Sequence, residues 1–86
     1  MERPPARGSL GRAFGKTVRD LRKRAGLAQE QLASDSGVAR GYMGRLERGE
    51  HVPTLQIIYK LLPPLKVNFA RFAREFDRNL RKTHDS

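Results

Sequence analysis

The 86-residue chain carries 18 Lys and Arg against 9 Asp and Glu, a formal net charge of +9. Its length bounds it to one small domain, and its charge points to a polyanionic partner, nucleic acid ahead of a membrane surface. No cysteine is present, which excludes disulfides, thiolate metal sites and a cysteine nucleophile, and no apolar run approaches the ~20 residues of a membrane span.

In chain order, residues 1–8 hold two adjacent prolines, two arginines and almost nothing apolar, a composition that predicts a disordered basic arm. The stretch MERPPARGSLGRAF also lacks a hydrophobic signal core, so a soluble protein of the cytoplasm or nucleoid is expected. From Ser9, a candidate N-cap, Leu10, Phe14, Val18, Leu21 and Ala25 recur at helical spacing, and Gly26 closes that helix. Arg12, Lys16, Arg19, Lys23 and Arg24 cover its other faces, either as a solvated exterior or as a flank turned to phosphate. Gly11 and Gly15 weaken the first turns, by up to ~1 kcal/mol each.

Gln29 to Ser36 and Arg40 to Arg48 read as two short helices. Leu32, Val38, Met43 and Leu46 supply the inward positions, Ala33 is small where the helices cross, and Gly37 suits the positive φ of the turn. This is the pattern of a helix-turn-helix. Arg40, Gly41, Gly44, Arg45 and Arg48 remain outward, a small and basic surface suited to a DNA groove. Thr54 is positioned to cap a fourth helix with Leu55, Ile58, Leu61 and Leu62 buried, and Pro63 and Pro64 are expected to end it. Asn68 caps a last, long helix whose Phe69, Phe72, Ala73, Phe76 and Leu80 share one face, with Arg71, Arg74, Arg78 and Arg81 on the other. Phe72 and Phe76 are expected inward, with Phe69 and Leu80 left for a partner chain. Residues 9–82 thus form an all-α domain, and 83–86 a frayed tail.

FGKTVRDLRKRAGLAQEQLASDSGVARGYMGRLERGEHVPTL resembles the Xre-type helix-turn-helix domains of Cro proteins and lambda-like repressors, most specifically in LRKRAGL, QEQLA and RLERGE. The resemblance implies a compact five-helix lambda-repressor-like DNA-binding domain, usually dimeric, whose third helix reads the major groove of a two-fold operator. It further implies base contacts from Arg40, Gly41, Gly44 and Arg45, phosphate contacts from Gln29, Tyr42, Arg48 and His51, and a structural salt bridge between Arg22 and Glu47. Arg40 and Arg45 match base-facing positions, where arginine pairs with guanine or rests on phosphate. The chain departs from the family pattern at Ala28 and Ala39, which replace Ser or Thr caps, and at Pro63, Pro64 and Lys66. It departs also at Gly41 and Gly44, which either admit a closer backbone approach to DNA or relax sequence preference.

The leading expectation is a sequence-specific regulator of transcription that binds double-stranded DNA as a homodimer, with residues 40–48 in the major groove and repression by promoter occlusion as the simplest mechanism. Small regulators of this form include restriction-modification controllers and Cro-like repressors, and contact with RNA polymerase is a further option. The alternative is an antitoxin or bridging module whose C-terminal helix binds a toxin or another protein. No catalytic set, metal site, cofactor or membrane partner is expected, since His51 and His84 lack ligand spacing.

Overall fold

The stripe Phe14, Val18 and Leu21 is buried as its spacing predicts, on a helix that runs Arg7–Arg24 (α1). The computed structural model describes residues 7–85, so residues 1–6 of the expected arm and Ser86 of the expected tail lie outside the described residues. Ser9 does not cap α1. Arg7 and Gly8 are already helical ahead of it, and the Ser9 hydroxyl accepts a 3.5 Å contact from Arg12 Nη2.

Four further helices follow among the described residues: α2 (Gln29–Ser36), α3 (Arg40–Glu47), α4 (Leu55–Leu65) and α5 (Phe69–Asp85). Thr54 Oγ1 accepts from the Ile57 N–H at 3.2 Å and Asn68 Oδ1 from the Arg71 N–H at 2.8 Å, so both expected caps are in place. No Gly or Pro follows Phe69, and α5 continues to Asp85, past the point where a frayed tail was expected.

Pro63 and Pro64 do not end α4; both lie inside its last turn. Each removes one N–H, but the carbonyls so deprived belong to Tyr59 and Lys60, which are exposed. The helix closes one residue later through acceptors that the prolines leave intact, with Lys66 N–H to Pro63 O at 3.0 Å and Val67 N–H to Leu62 O at 3.3 Å. Lys66 takes the left-handed conformation at φ 60° that a glycine would adopt more readily. Leu65, beyond both prolines, is buried. Leu55 is 58% exposed rather than buried, because the first residue of α4 points away from the layer that Leu61, Leu62 and Leu65 occupy.

All five helices contribute to one core, built from Phe14, Val18, Leu21, Leu32, Met43, Leu46, Leu61 and Phe72 with their neighbours. α1 is its axis, packing along α5 and crossing α3. The Phe14 ring meets Phe72 and Phe76 at centroid separations of 5.2 and 5.8 Å. Below them, buried Thr17 Oγ1 donates to Ala13 O at 2.7 Å and accepts from Asn79 Nδ2 at 2.9 Å, a polar tie between α1 and α5.

Candidate nucleic-acid interface

The turn between α2 and α3 is made by Gly37 at φ 71°, whose N–H bonds back to Ser34 O, followed by Val38 N–H to Ala33 O at 3.0 Å. Ala28 and Ala39 precede the two helices without a side-chain cap, as their identity dictates. What fixes α3 instead is a polar network at its C-terminal end. Glu47 is nearly buried, and its carboxylate receives Arg22 Nε at 2.8 Å, Arg22 Nη2 at 3.1 Å and Gln29 Nε2 at 3.1 Å. Arg22 Nη1 donates to Leu27 O at 2.8 Å. The fork thus joins α1, the loop before α2 and α3, and the expected Arg22–Glu47 bridge is present. Gln29, expected at phosphate, gives one amide proton to this network and keeps a second.

Close backbone contact supports the same end of α3 from below. A Cβ at Gly15 would stand 2.6 Å from the carbonyl oxygens of both Leu46 and Glu47, and one at Gly11 2.5 Å from Gly49 O. Both glycines read in the sequence only as helix weakeners. Their spacing of four, one face of one helix, is the signal that marks a helix crossing.

Outward, Arg40, Gly41, Arg45 and Arg48 are exposed. Gly44 is not, which corrects its place on the outer surface: Arg48 Nη1 and Gln29 Oε1 lie 3.2 and 3.5 Å from where its Cβ would be. Arg45 Nη1 likewise lies 3.6 Å from the Cβ position of Gly41. Side chains of a helix lean toward its N-terminus, and here each arginine lies over the glycine one turn before it. The two glycines are therefore beds for guanidinium groups.

The predicted contacts fall into three groups. Arg45 Nε donates to His51 Nε2 at 3.2 Å, and the His51 ring stacks on half-buried Tyr42 at 5.5 Å. Arg48 Nε donates to Glu50 Oε2 at 2.6 Å, a bond that holds the Glu50 carboxyl below the ordinary carboxylate range. Arg40 stands apart at the start of α3, 3.8 Å from Glu30 Oε2. No pattern in the sequence marks Glu50 as the partner of Arg48. Among the described residues no group of His, Asp or Glu could hold a metal ion, and no helix is long and apolar enough to cross a membrane.

A short helix pair joined by a left-handed glycine, with a cationic outer helix locked at its base, defines a helix-turn-helix DNA-binding domain. The sequence family described as "Helix-turn-helix domain" matches residues 13–68. The chain belongs to that family, in its Xre-type, lambda-repressor-like form, a non-enzymatic DNA-binding class.

The chain is similar to the HTH-type transcriptional regulator SutR of Escherichia coli, at 33% identity over 64 residues, 74% of this chain. To SlrR of Bacillus subtilis it is 41% identical over 55 residues, 63% of this chain. It spans only 36% of the length of each of these two regulators. The crystal structure of the restriction-modification controller protein C.AhdI from Aeromonas hydrophila is 40% identical, with a TM-score of 0.65 over 76% of this chain and 92% of that one.

Proposed function

We propose that the chain is a sequence-specific regulator of transcription that binds duplex DNA as a homodimer and represses by covering a promoter. The observation that carries this reading is the outer face of α3, where Arg40 and Arg45 are exposed on a helix anchored through Glu47. In this reading α3 enters the major groove of a two-fold operator, with Arg40, Gly41 and Arg45 at base edges and Gly44 behind them. Gln29, Tyr42, Arg48 and His51 meet phosphates on either side. Similarity to a restriction-modification controller protein supports a regulatory role. A DNA target implies a location in the cytoplasm, at the nucleoid.

The dimer reading rests on an apolar face formed by the loop after α3, by α4 and by the start of α5. Val52, Leu55, Tyr59 and Phe69 are the exposed large hydrophobics among the described residues, and the Tyr59 and Phe69 rings stack at 5.5 Å. Beside them opens an apolar cleft of about 210 Å³ whose lining includes Val52, Pro53, Ile58, Phe69 and Phe76. A second copy of the chain would cover this face by two-fold symmetry. The alternative, a module that holds another protein through α5, draws less support, since Phe72, Phe76 and Asn79 turn that helix toward α1.

Affinity selection of random duplex DNA by the purified protein, followed by sequencing, tests the reading. An enriched inverted repeat with half-sites about one helical turn (~34–36 Å) apart is expected. Retention without enrichment would limit the protein to charge-driven binding, and no retention would defeat the proposal.

A further inference from the structure

The recognition helix does not account for all the cationic surface on its side of the molecule. Arg12, Lys16 and Arg19 recur at positions i, i+4 and i+7 of α1 and so share one face. They line a trough of about 540 Å³ whose opposite wall is Glu47 and Arg48, the C-terminal end of α3. The trough exists because Gly11 and Gly15 let α1 lie directly on the backbone of Leu46, Glu47 and Gly49. Arg48, at the end of α3, and the cationic face of α1 therefore line one trough.

The charges in this trough are poorly matched by acids. Among the described residues Arg19 has no acidic partner, and Arg12 has only the Ser9 hydroxyl. Lys16 pairs with Asp20 at 3.3 Å and Arg48 with Glu50. Glu47, the acid in the wall, is already engaged by Arg22 and Gln29. Seven residues of helix span about 10 Å, so the line is long enough to meet more than one phosphate of the same strand.

We propose that Arg12, Lys16 and Arg19 form a second phosphate track, which carries one strand of the duplex along α1 beyond the end of α3. This deepens the DNA-binding reading of α3 and rests on it. The track reads no bases; it sets the angle at which the duplex leaves the recognition helix and adds affinity that is independent of sequence.

The test compares two double variants of equal charge loss. Arg12→Ala with Arg19→Ala removes the acid-free members of the track. Arg71→Ala with Arg74→Ala removes two exposed arginines of α5, for which the described residues likewise provide no ion pair. Binding to a fluorescent duplex of arbitrary sequence, about 40 base pairs long, is titrated between about 50 and 200 mM salt. Each lost phosphate contact makes the slope of log K against log salt shallower by about 0.9. The α1 variant is expected to lose about 1.8 from its slope, so its affinity falls about tenfold less than wild type across that range. The α5 variant is expected to keep the wild-type slope.

An unchanged slope in the α1 variant, or equal losses in both, would overturn the track. Failure of the wild-type protein to bind any duplex would instead bring down the DNA-binding reading itself, and this inference with it. Thermal melting confirms that both variants are folded.

Discussion

A Cβ on Gly15 would stand 2.6 Å from the carbonyl oxygen of Glu47, so α1 and the end of α3 meet backbone to backbone. Gly15→Ala must push the two helices apart, and the neighbour is main chain that cannot swing away. Alanine gains up to ~1 kcal/mol of helix propensity, but overpacking of this kind costs about 1–3 kcal/mol. Net destabilisation in urea unfolding is the expected outcome, with lowered DNA affinity as α3 is displaced.

Gly41 behaves oppositely. Its nearest neighbour is the flexible tip of Arg45, 3.6 Å from the Cβ position, an ordinary contact. Gly41→Ala should raise stability by up to about 1 kcal/mol, read as a higher midpoint in the same urea titration. A loss of stability there would contradict the ordinary contact with a movable side chain described at this glycine.

The Arg22–Glu47 fork sits with one partner nearly buried and the other largely so. Glu47→Ala leaves the Arg22 guanidinium and the Gln29 amide without their shared acceptor, and a loss of about 3 kcal/mol is expected. The double change Arg22→Ala with Glu47→Ala should cost clearly less than the two single losses added together, because the second removal relieves the charge that the first left unpaired. A double-mutant cycle by chemical denaturation measures this.

Glu50 competes for Arg48 with any phosphate that approaches. Glu50→Gln removes that competitor and one negative charge from the proposed interface. Duplex affinity at low salt should rise about twofold to fivefold, the scale of an exposed ion pair, as read by anisotropy titration.

Glu75 joins α5 to α1. The hydrogen bond from Arg78 holds its carboxyl below the ordinary value of 4.5, partial burial opposes this, and Arg24 at 3.1 Å adds to the lowering. A carboxyl with a depressed pKa in the folded state contributes stability above its unfolded pKa and loses it as pH falls through the folded value. Glu75→Gln is therefore expected to be less stable than wild type at pH 7, by at most about 1 kcal/mol. The difference should shrink below pH 4.5 until the two proteins melt alike.

Local rules carried much of the architecture. Gly37 at the turn, the Thr54 and Asn68 caps and the Phe14, Val18 and Leu21 stripe each follow from a few neighbouring residues, and the structure has them where the sequence places them, whereas Leu55 of the α4 stripe is exposed. The Arg22–Glu47 bridge spans 25 positions and came only through family resemblance. What escaped local reading depends on contacts between distant segments. Pro63 and Pro64 remain helical because the chain gains the burial of Leu65 beyond them. Gly11 and Gly15 look like defects until α3 is laid across them, and Gly44 looks exposed until Gln29 and Arg48 fold over it. The pairing of Arg45 with His51 required the loop after α3 to turn back along its own helix.

That last pairing makes the free protein its own reference ligand. The imidazole nitrogen of His51 already occupies the Arg45 Nε donor at 3.2 Å. Any other acceptor must do better than this incumbent before the side chain leaves it. A surface offering a single weak acceptor gains nothing by the exchange, whereas one that takes two guanidinium protons at once does. If Arg45 meets base edges as proposed, His51 sets a threshold that poor sites do not pass, through the stability of the unbound arrangement instead of through a clash in the bound one.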